Sequence, residues 1–332
     1  MSFDNLNSNN SGTDKRVSLL FMVFLTVAAS SAAVFIPFLN FAAFSFVPVP
    51  ATLLVSLKRI KDAVICAVAG AAVFLFFNYV MAAVIFIIIS GLAFGYRYFR
   101  LRKVKPYFMI GAVFLFFLAA VLLFFLINSA IIQKNYFSES VNFYNSYVNG
   151  IEKDPLIQNY RNFIVADESQ FNDILDATRS FLNFLPKIIP GMLVLFFGFS
   201  SILNYVFTGI FMKKYSLELD LLPSFKEWDL PWAWCWGVIA GIILIIVPSF
   251  NTGNSMFFYA IGSNLLIVFG SVYLVLGLSV LWGIFERFNL KNSMKIIIIA
   301  AIFLFFGLFI FLPVLGLADI WINFRRLKRV QK

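Results

Sequence analysis

Apolar residues in this chain fall into long unbroken blocks, and the blocks are parted by short polar or basic interruptions. Runs at 17–39, 41–57, 62–78, 79–96, 106–128, 188–212, 232–249, 256–285 and 295–318 approach or exceed the roughly 20 residues a helix needs to cross a hydrocarbon core about 30 Å thick. Only helices and closed barrels satisfy every backbone polar group in lipid. The pattern therefore predicts an all-α, polytopic transmembrane helix bundle of about eight or nine spans. One long stretch, 129–187, interrupts it. There Tyr136, Val141, Tyr144, Val148 and Ile151 recur at helical spacing, as do Phe171, Ile174, Leu175, Thr178, Leu182 and Leu185, with Asp154-Pro155 marking a turn between the two sets. We read a small helical insert, too poor in aliphatic residues to hold a core alone.

Composition agrees with the pattern. The chain is 61% hydrophobic and 13% charged, with a mean hydropathy of +0.91, well outside soluble usage. Its net charge of +10 sharpens the threading. Basic residues gather in alternate connections: Lys58, Arg59 and Lys61; Arg97, Arg100, Arg102, Lys103 and Lys105; Lys213, Lys214 and Lys226; Arg287, Lys291 and Lys295. With Lys15 and Arg16 these predict a cytoplasmic N-terminus and an external insert. No long basic stripe of the kind a nucleic-acid groove needs is present, so the bilayer is the expected partner.

The expected organisation is a disordered cytoplasmic N-terminus (1–16), a five-span part (17–128), the external helical insert (129–187), C-terminal spans (188–318) and a basic tail (319–332). ASSAA at 29–33 resembles a signal-peptidase site, yet the apolar run continues past it, and no cleavage is expected. Nine crossings from an inside start would leave the basic tail outside. Pro313 and Gly316 interrupt the last run, so a re-entrant hairpin or broken helix is expected at 311–324, which returns Arg325 and Arg326 to the cytoplasm.

Chemistry is sparse. The chain has no histidine, which removes imidazole as base, proton shuttle and metal ligand. Asp319 is the one acid at membrane depth, read either as a functional carboxylate or as the partner of Arg325 or Arg326. No phosphate loop or zinc spacing occurs; no enzyme activity, catalytic residue, cofactor or metal is expected. Cys66 and Cys235 lie in apolar runs and read as buried thiols.

Neutral polar residues inside spans have two readings. Asn204 with Ser200 and Ser201, and Asn264 with Ser263 and Ser271, are either interhelical hydrogen bonds worth about 1 kcal/mol each or a neutral ligand site. Gly91 and Gly95 form a small-xxx-small face, like Ala67, Gly70 and Ala71, which predicts close helix packing. The stretch KEWDLPWAWCWG holds Trp228, Trp232, Trp234 and Trp236, expected as interfacial anchors, with Pro231 in the first turn of a span and Asp229 accepting from its free N–H groups.

The segments PVPATLLVSLKRIKDAVICA (47–67), GLAFGYRYFRLRK (91–103), FKEWDLPWAWCWG (225–237) and GLADIWINFRRL (316–327) resemble those of the YybS-like family of bacterial integral membrane proteins. That family in turn resembles the substrate-binding S components of energy-coupling-factor transporters. The resemblance implies a multi-pass protein of the bacterial cytoplasmic (inner) membrane. It also implies a small neutral or amphipathic ligand among the first six helices, under residues near Pro37 to Phe46 and the 129–187 insert. The alternative is a membrane scaffold or assembly partner that works through a membrane-protein partner without a ligand.

Overall fold

A computed structural model describes residues 18–131, 136–164, 168–220, 222–246, 255–304 and 310–327. The expected disordered N-terminus, residues 247–254 and the tail beyond Leu327 lie outside the described residues. The described residues are helices and connections, with no strand among them. Two compact units emerge: unit 1 comprises 1–132 and 198–221, unit 2 comprises 133–197 and 222–332.

In unit 1, helix α1 (Leu19–Phe35) begins where the Ser18 hydroxyl accepts from the Phe21 N–H at 3.5 Å, the usual repair for a free N–H at a helix start. The predicted span 41–57 is two short helices, α2 (Asn40–Phe46) and α3 (Val49–Ser56). Pro48 and Pro50 each lack the N–H that would continue the ladder, so the helix breaks between them. All eight residues of α3 are buried. Thr52 turns its hydroxyl back onto its own helix, Oγ1 donating to Pro48 O at 2.9 Å.

Helix α4 (Ile60–Ala72) packs on α1. A Cβ placed on Gly70 would lie 2.6 Å from Thr26 of α1, so the small face read around Ala67, Gly70 and Ala71 does pack closely. A 3-10 turn (Val73–Phe76) follows, and Asn78 starts α5 (Tyr79–Leu101) by accepting from the Val80 N–H at 2.7 Å. Helix α5 ends in a left-handed turn at Lys103 (φ 51°), and α6 (Pro106–Ile131) returns beside it with proline in its first turn. Asn78 Nδ2 donates to Asn128 Oδ1 at 3.0 Å, tying the far ends of this pair together.

Unit 2 holds the insert. Sequence periodicity gave two helices there; the structure has α7 (Tyr136–Gly150), a 3-10 turn (Ile151–Lys153), a further helix α8 (Pro155–Ile164), and then α9. Asp154 caps α8, accepting from the Leu156 N–H at 2.8 Å. Its second carboxylate oxygen accepts from Tyr147 at 3.1 Å, which holds that phenol above its usual pKa. Ile151, Phe171 and Leu175 make a small buried core, with Ile157 and Leu182 against it.

Helix α9 (Glu168–Lys214) is the largest correction to the expected threading. It runs 47 residues through Pro186 and Pro190, so the amphipathic helix of the insert and the predicted span 188–212 are one continuous element. Helix α10 (Cys235–Ile246) lies against α11 (Ser255–Arg287). Of the predicted span 295–318, the described residues lie in α12 (Asn292–Leu304) and α13 (Phe311–Ile322). At 12 residues, α13 is roughly 18 Å long, short of the 30 Å core. It lies on α11 with backbones touching: a Cβ on Gly277 would stand 1.9 Å from Leu312 O, and one on Gly316 2.2 Å from Tyr273 O.

Among the described residues, Tyr79–Leu101, Pro106–Ala130, Ser169–Lys214 and Met256–Arg287 are long and apolar enough to cross a membrane, and shorter apolar helices accompany them.

Candidate functional site

Both asparagines singled out from the sequence bond backbone beside prolines, Asn204 at the α2–α3 break and Asn264 at the proline-bearing turn of the continuous α9. Asn204 on α9 donates from Nδ2 to Ser45 O at 2.8 Å and accepts from the Tyr96 hydroxyl at 2.9 Å. Ser45 O lies at the α2–α3 break, where the ladder that would have used it stops. Asn204 is fully buried, as are Tyr96 and Tyr205.

Asn264 on α11 makes the matching repair in unit 2. Its Oδ1 accepts from the Gly191 N–H at 2.5 Å, and its Nδ2 donates to Lys187 O and Ala260 O, each at 2.7 Å. Lys187 O and Gly191 N–H are the i and i+4 groups of a single turn of α9. One turn earlier, Leu182 O has lost its donor to Pro186 and accepts from the Tyr144 hydroxyl instead. A Cβ on Gly191 would meet Asn264 Oδ1 at 2.8 Å, so the glycine admits the amide. Ser263 is buried beside it.

A second cluster surrounds Arg325. After α13 the chain reverses through Asn323 (φ 50°), whose side chain accepts from the Leu327 N–H at 2.8 Å. The turn carries Arg325 back to Asp319: Nε and Nη2 donate to Asp319 Oδ2 at 3.1 and 2.8 Å. Nη1 donates to Lys226 O (2.9 Å), Trp228 O (2.6 Å) and Ser279 Oγ (2.7 Å). Asp319 is 0% exposed and Arg325 8%, so the pair neutralises charges that burial alone would make very costly. Of the two partners weighed for Asp319, the structure selects Arg325.

Beside it, Glu286 receives Lys226 Nζ at 2.8 Å and the Trp282 indole N–H at 3.1 Å, with Lys295 Nζ at 3.9 Å and over the Trp282 ring. The hydrogen bond to Glu286 raises the Lys226 pKa. Lys226, Glu286 and Arg325 line a cleft of about 350 Å³ together with Arg287.

The tryptophan stretch divides. Trp232, Trp234 and Trp236 are 62%, 42% and 58% exposed, while Trp228 is drawn in toward Arg325 through its carbonyl. Pro231 precedes a 3-10 turn (Trp232–Trp234), and α10 starts only at Cys235. Asp229 therefore stands too early to serve that helix, and faces Arg325 Nη2 at 3.7 Å.

Gly91 and Gly95 also part company. A Cβ on Gly91 would strike the Phe116 ring at 2.3 Å, the close packing expected; around Gly95 nothing lies within 4 Å. Gly95 opens instead on a cavity of about 250 Å³ between α5 and α6, lined by Tyr96, Phe99, Met109 and Phe116 among others. Its small-xxx-small spacing was visible in the sequence, but the void beside it was not, because spacing does not report which neighbour fills a face.

Cys66 and Cys235 are buried free thiols in different units. Among the described residues no group of three His, Cys, Asp or Glu side chains is placed to hold a metal ion.

No curated protein and no solved structure matches the chain. A family model does, over residues 22–320, a range that takes in both units, the proline-broken helices and the Asp319 end of α13. The chain belongs to the family described as predicted membrane protein (DUF2232).

Proposed function

We propose that this integral membrane protein binds a small neutral or amphipathic molecule, as the YybS-like and S-component resemblance implies, but in the α5–α6 cavity of unit 1 rather than under residues near Pro37 to Phe46 and the 129–187 insert. The observation that carries the proposal is Gly95. A glycine inside a helix costs about 1 kcal/mol relative to alanine, and here no neighbouring atom occupies the space it leaves. A volume of about 250 Å³ lies just below the usual range for small-molecule pockets, enough for one chain or ring.

The amides of Asn204 and Asn264 are committed to backbone groups, which favours packing as their role. The buried Asp319–Arg325 pair likewise favours a structural role over acid–base chemistry, and we propose no catalytic activity. The alternation of basic and uncharged connections supports a bacterial cytoplasmic membrane setting with the N-terminus inside.

Mass spectrometry of the protein purified in lipid nanodiscs tests the proposal. A small molecule should accompany the native chain and be lost from Gly95→Phe, which fills the cavity. Copurified protein subunits with no small molecule in either preparation would favour the scaffold alternative.

A further inference from the structure

Resting on the cavity reading above, we propose that the ligand is a single-chain anionic amphiphile drawn from the bilayer. Its acyl or prenyl chain lies along the α5–α6 groove, and its phosphate or carboxylate head meets the basic turn that closes the groove.

The groove is long and narrow. Its α5 residues run from Gly91 to Phe99, roughly 12 Å at 1.5 Å per residue, the shape of a chain rather than a compact ring system. The lining is apolar, and its one hydroxyl, on Tyr96, is already bonded to Asn204. Polar recognition must therefore come from an end of the groove.

The end near Phe99 and Met109 supplies it. Lys105 stands one turn before Met109, while Arg102 and Lys103 follow Phe99 at three and four residues, where the left-handed turn at Lys103 ends α5. All three are exposed. From 79 to 131 the chain has five basic residues and no Asp or Glu, so no local carboxylate competes for them. Arg97 is occupied elsewhere, donating to Val55 O at 2.7 Å. Arg100 Nε is buried with no hydrogen-bond partner among the described residues. The unit 2 cleft differs: its Lys226 and Arg325 already face Glu286 and Asp319.

The test is binding to the full chain in phosphatidylcholine nanodiscs, with dodecyl phosphate, dodecanol and inorganic phosphate as probes. Dodecyl phosphate should bind on the order of 100-fold more tightly than dodecanol, the scale of three cations at about fivefold each. Replacing Arg102, Lys103 and Lys105 together by Gln should bring dodecyl phosphate down to the dodecanol level and leave dodecanol unchanged. Gly95→Phe, or Gly95→Leu if the first fails to fold, should abolish both. Equal binding of the two chain probes would overturn the anionic head while leaving the cavity reading intact, and absence of both would remove the two together. Competition by inorganic phosphate as strong as by dodecyl phosphate would overturn the chain. Loss of binding on adding phosphatidylglycerol to the nanodisc would assign the groove to bulk lipid and overturn the proposal.

Discussion

Asn264 reaches into helix α9 and takes the Gly191 N–H at 2.5 Å, with its amide nitrogen on Lys187 O at 2.7 Å. A side chain of α11 thus bonds both backbone groups of one turn of another helix. Asn264→Leu should remove these bonds and lower stability by about 1–3 kcal/mol. Thermal unfolding in detergent reads this as a lower midpoint. In a Pro186→Ala, Pro190→Ala background the restored N–H groups rebuild the ladder at Leu182 O and residue 186 O, and the same substitution should cost much less. An equal loss in both backgrounds would show that the amide acts elsewhere.

Asp319→Asn should cost about 3 kcal/mol, because it takes the close counter-charge from the buried Arg325 guanidinium and leaves it only Asp229 at 3.7 Å. The double variant Asp319→Leu, Arg325→Met should recover most of that, since it removes both buried charges. Equilibrium unfolding of the four corners of this cycle gives the coupling; additivity would mean that the ion pair contributes nothing.

Two glycines should respond with opposite sign. Gly316→Ala puts a methyl 2.2 Å from Tyr273 O and should push α13 off α11, whereas Gly95→Ala meets nothing within 4 Å and should stabilise by up to about 1 kcal/mol. Melting temperatures of the two variants, compared side by side, check this. Destabilisation by both would mean that the Gly95 void is filled in the membrane.

Topology is testable with single cysteines in a Cys66→Ala, Cys235→Ala background. Ser146 in α7 is exposed and, as part of the expected external insert, Ser146→Cys should react with a membrane-impermeant maleimide on intact cells. Lys103→Cys should react only after the membrane is opened. The reverse pattern would invert the threading.

The sequence made the membrane class plain because 20-residue apolar blocks have few other uses. It also pointed Asp319 to a basic partner, Arg325 or Arg326, since a carboxylate six residues from a basic cluster at membrane depth needs a cation; which of the two took tertiary geometry to decide. The continuity of α9 was hidden. Pro186 and Pro190 read locally as breakers, and the groups that let the helix continue, Asn264 and the Tyr144 hydroxyl, lie far away in the chain. Pro48 and Pro50 misled in the other direction, since an unbroken apolar run concealed a real break. Gly95 was legible as a small residue but not as an empty face, because vacancy is a property of neighbours.

The repair of α9 carries an order in time. The Asn264 amide lies 73 residues after Gly191 and 77 after Lys187, so the ribosome finishes the proline-bearing turn long before it makes the side chain that bonds to it. Until α11 arrives, that turn, in which Pro190 has no N–H to give Pro186 O, stands without the amide at the start of an apolar run, where lipid offers backbone groups no partner. The entry of α9 into its final place is therefore coupled to the synthesis of α11. A nascent chain stopped short of Ser255 would keep this stretch beside water or inside the insertion machinery.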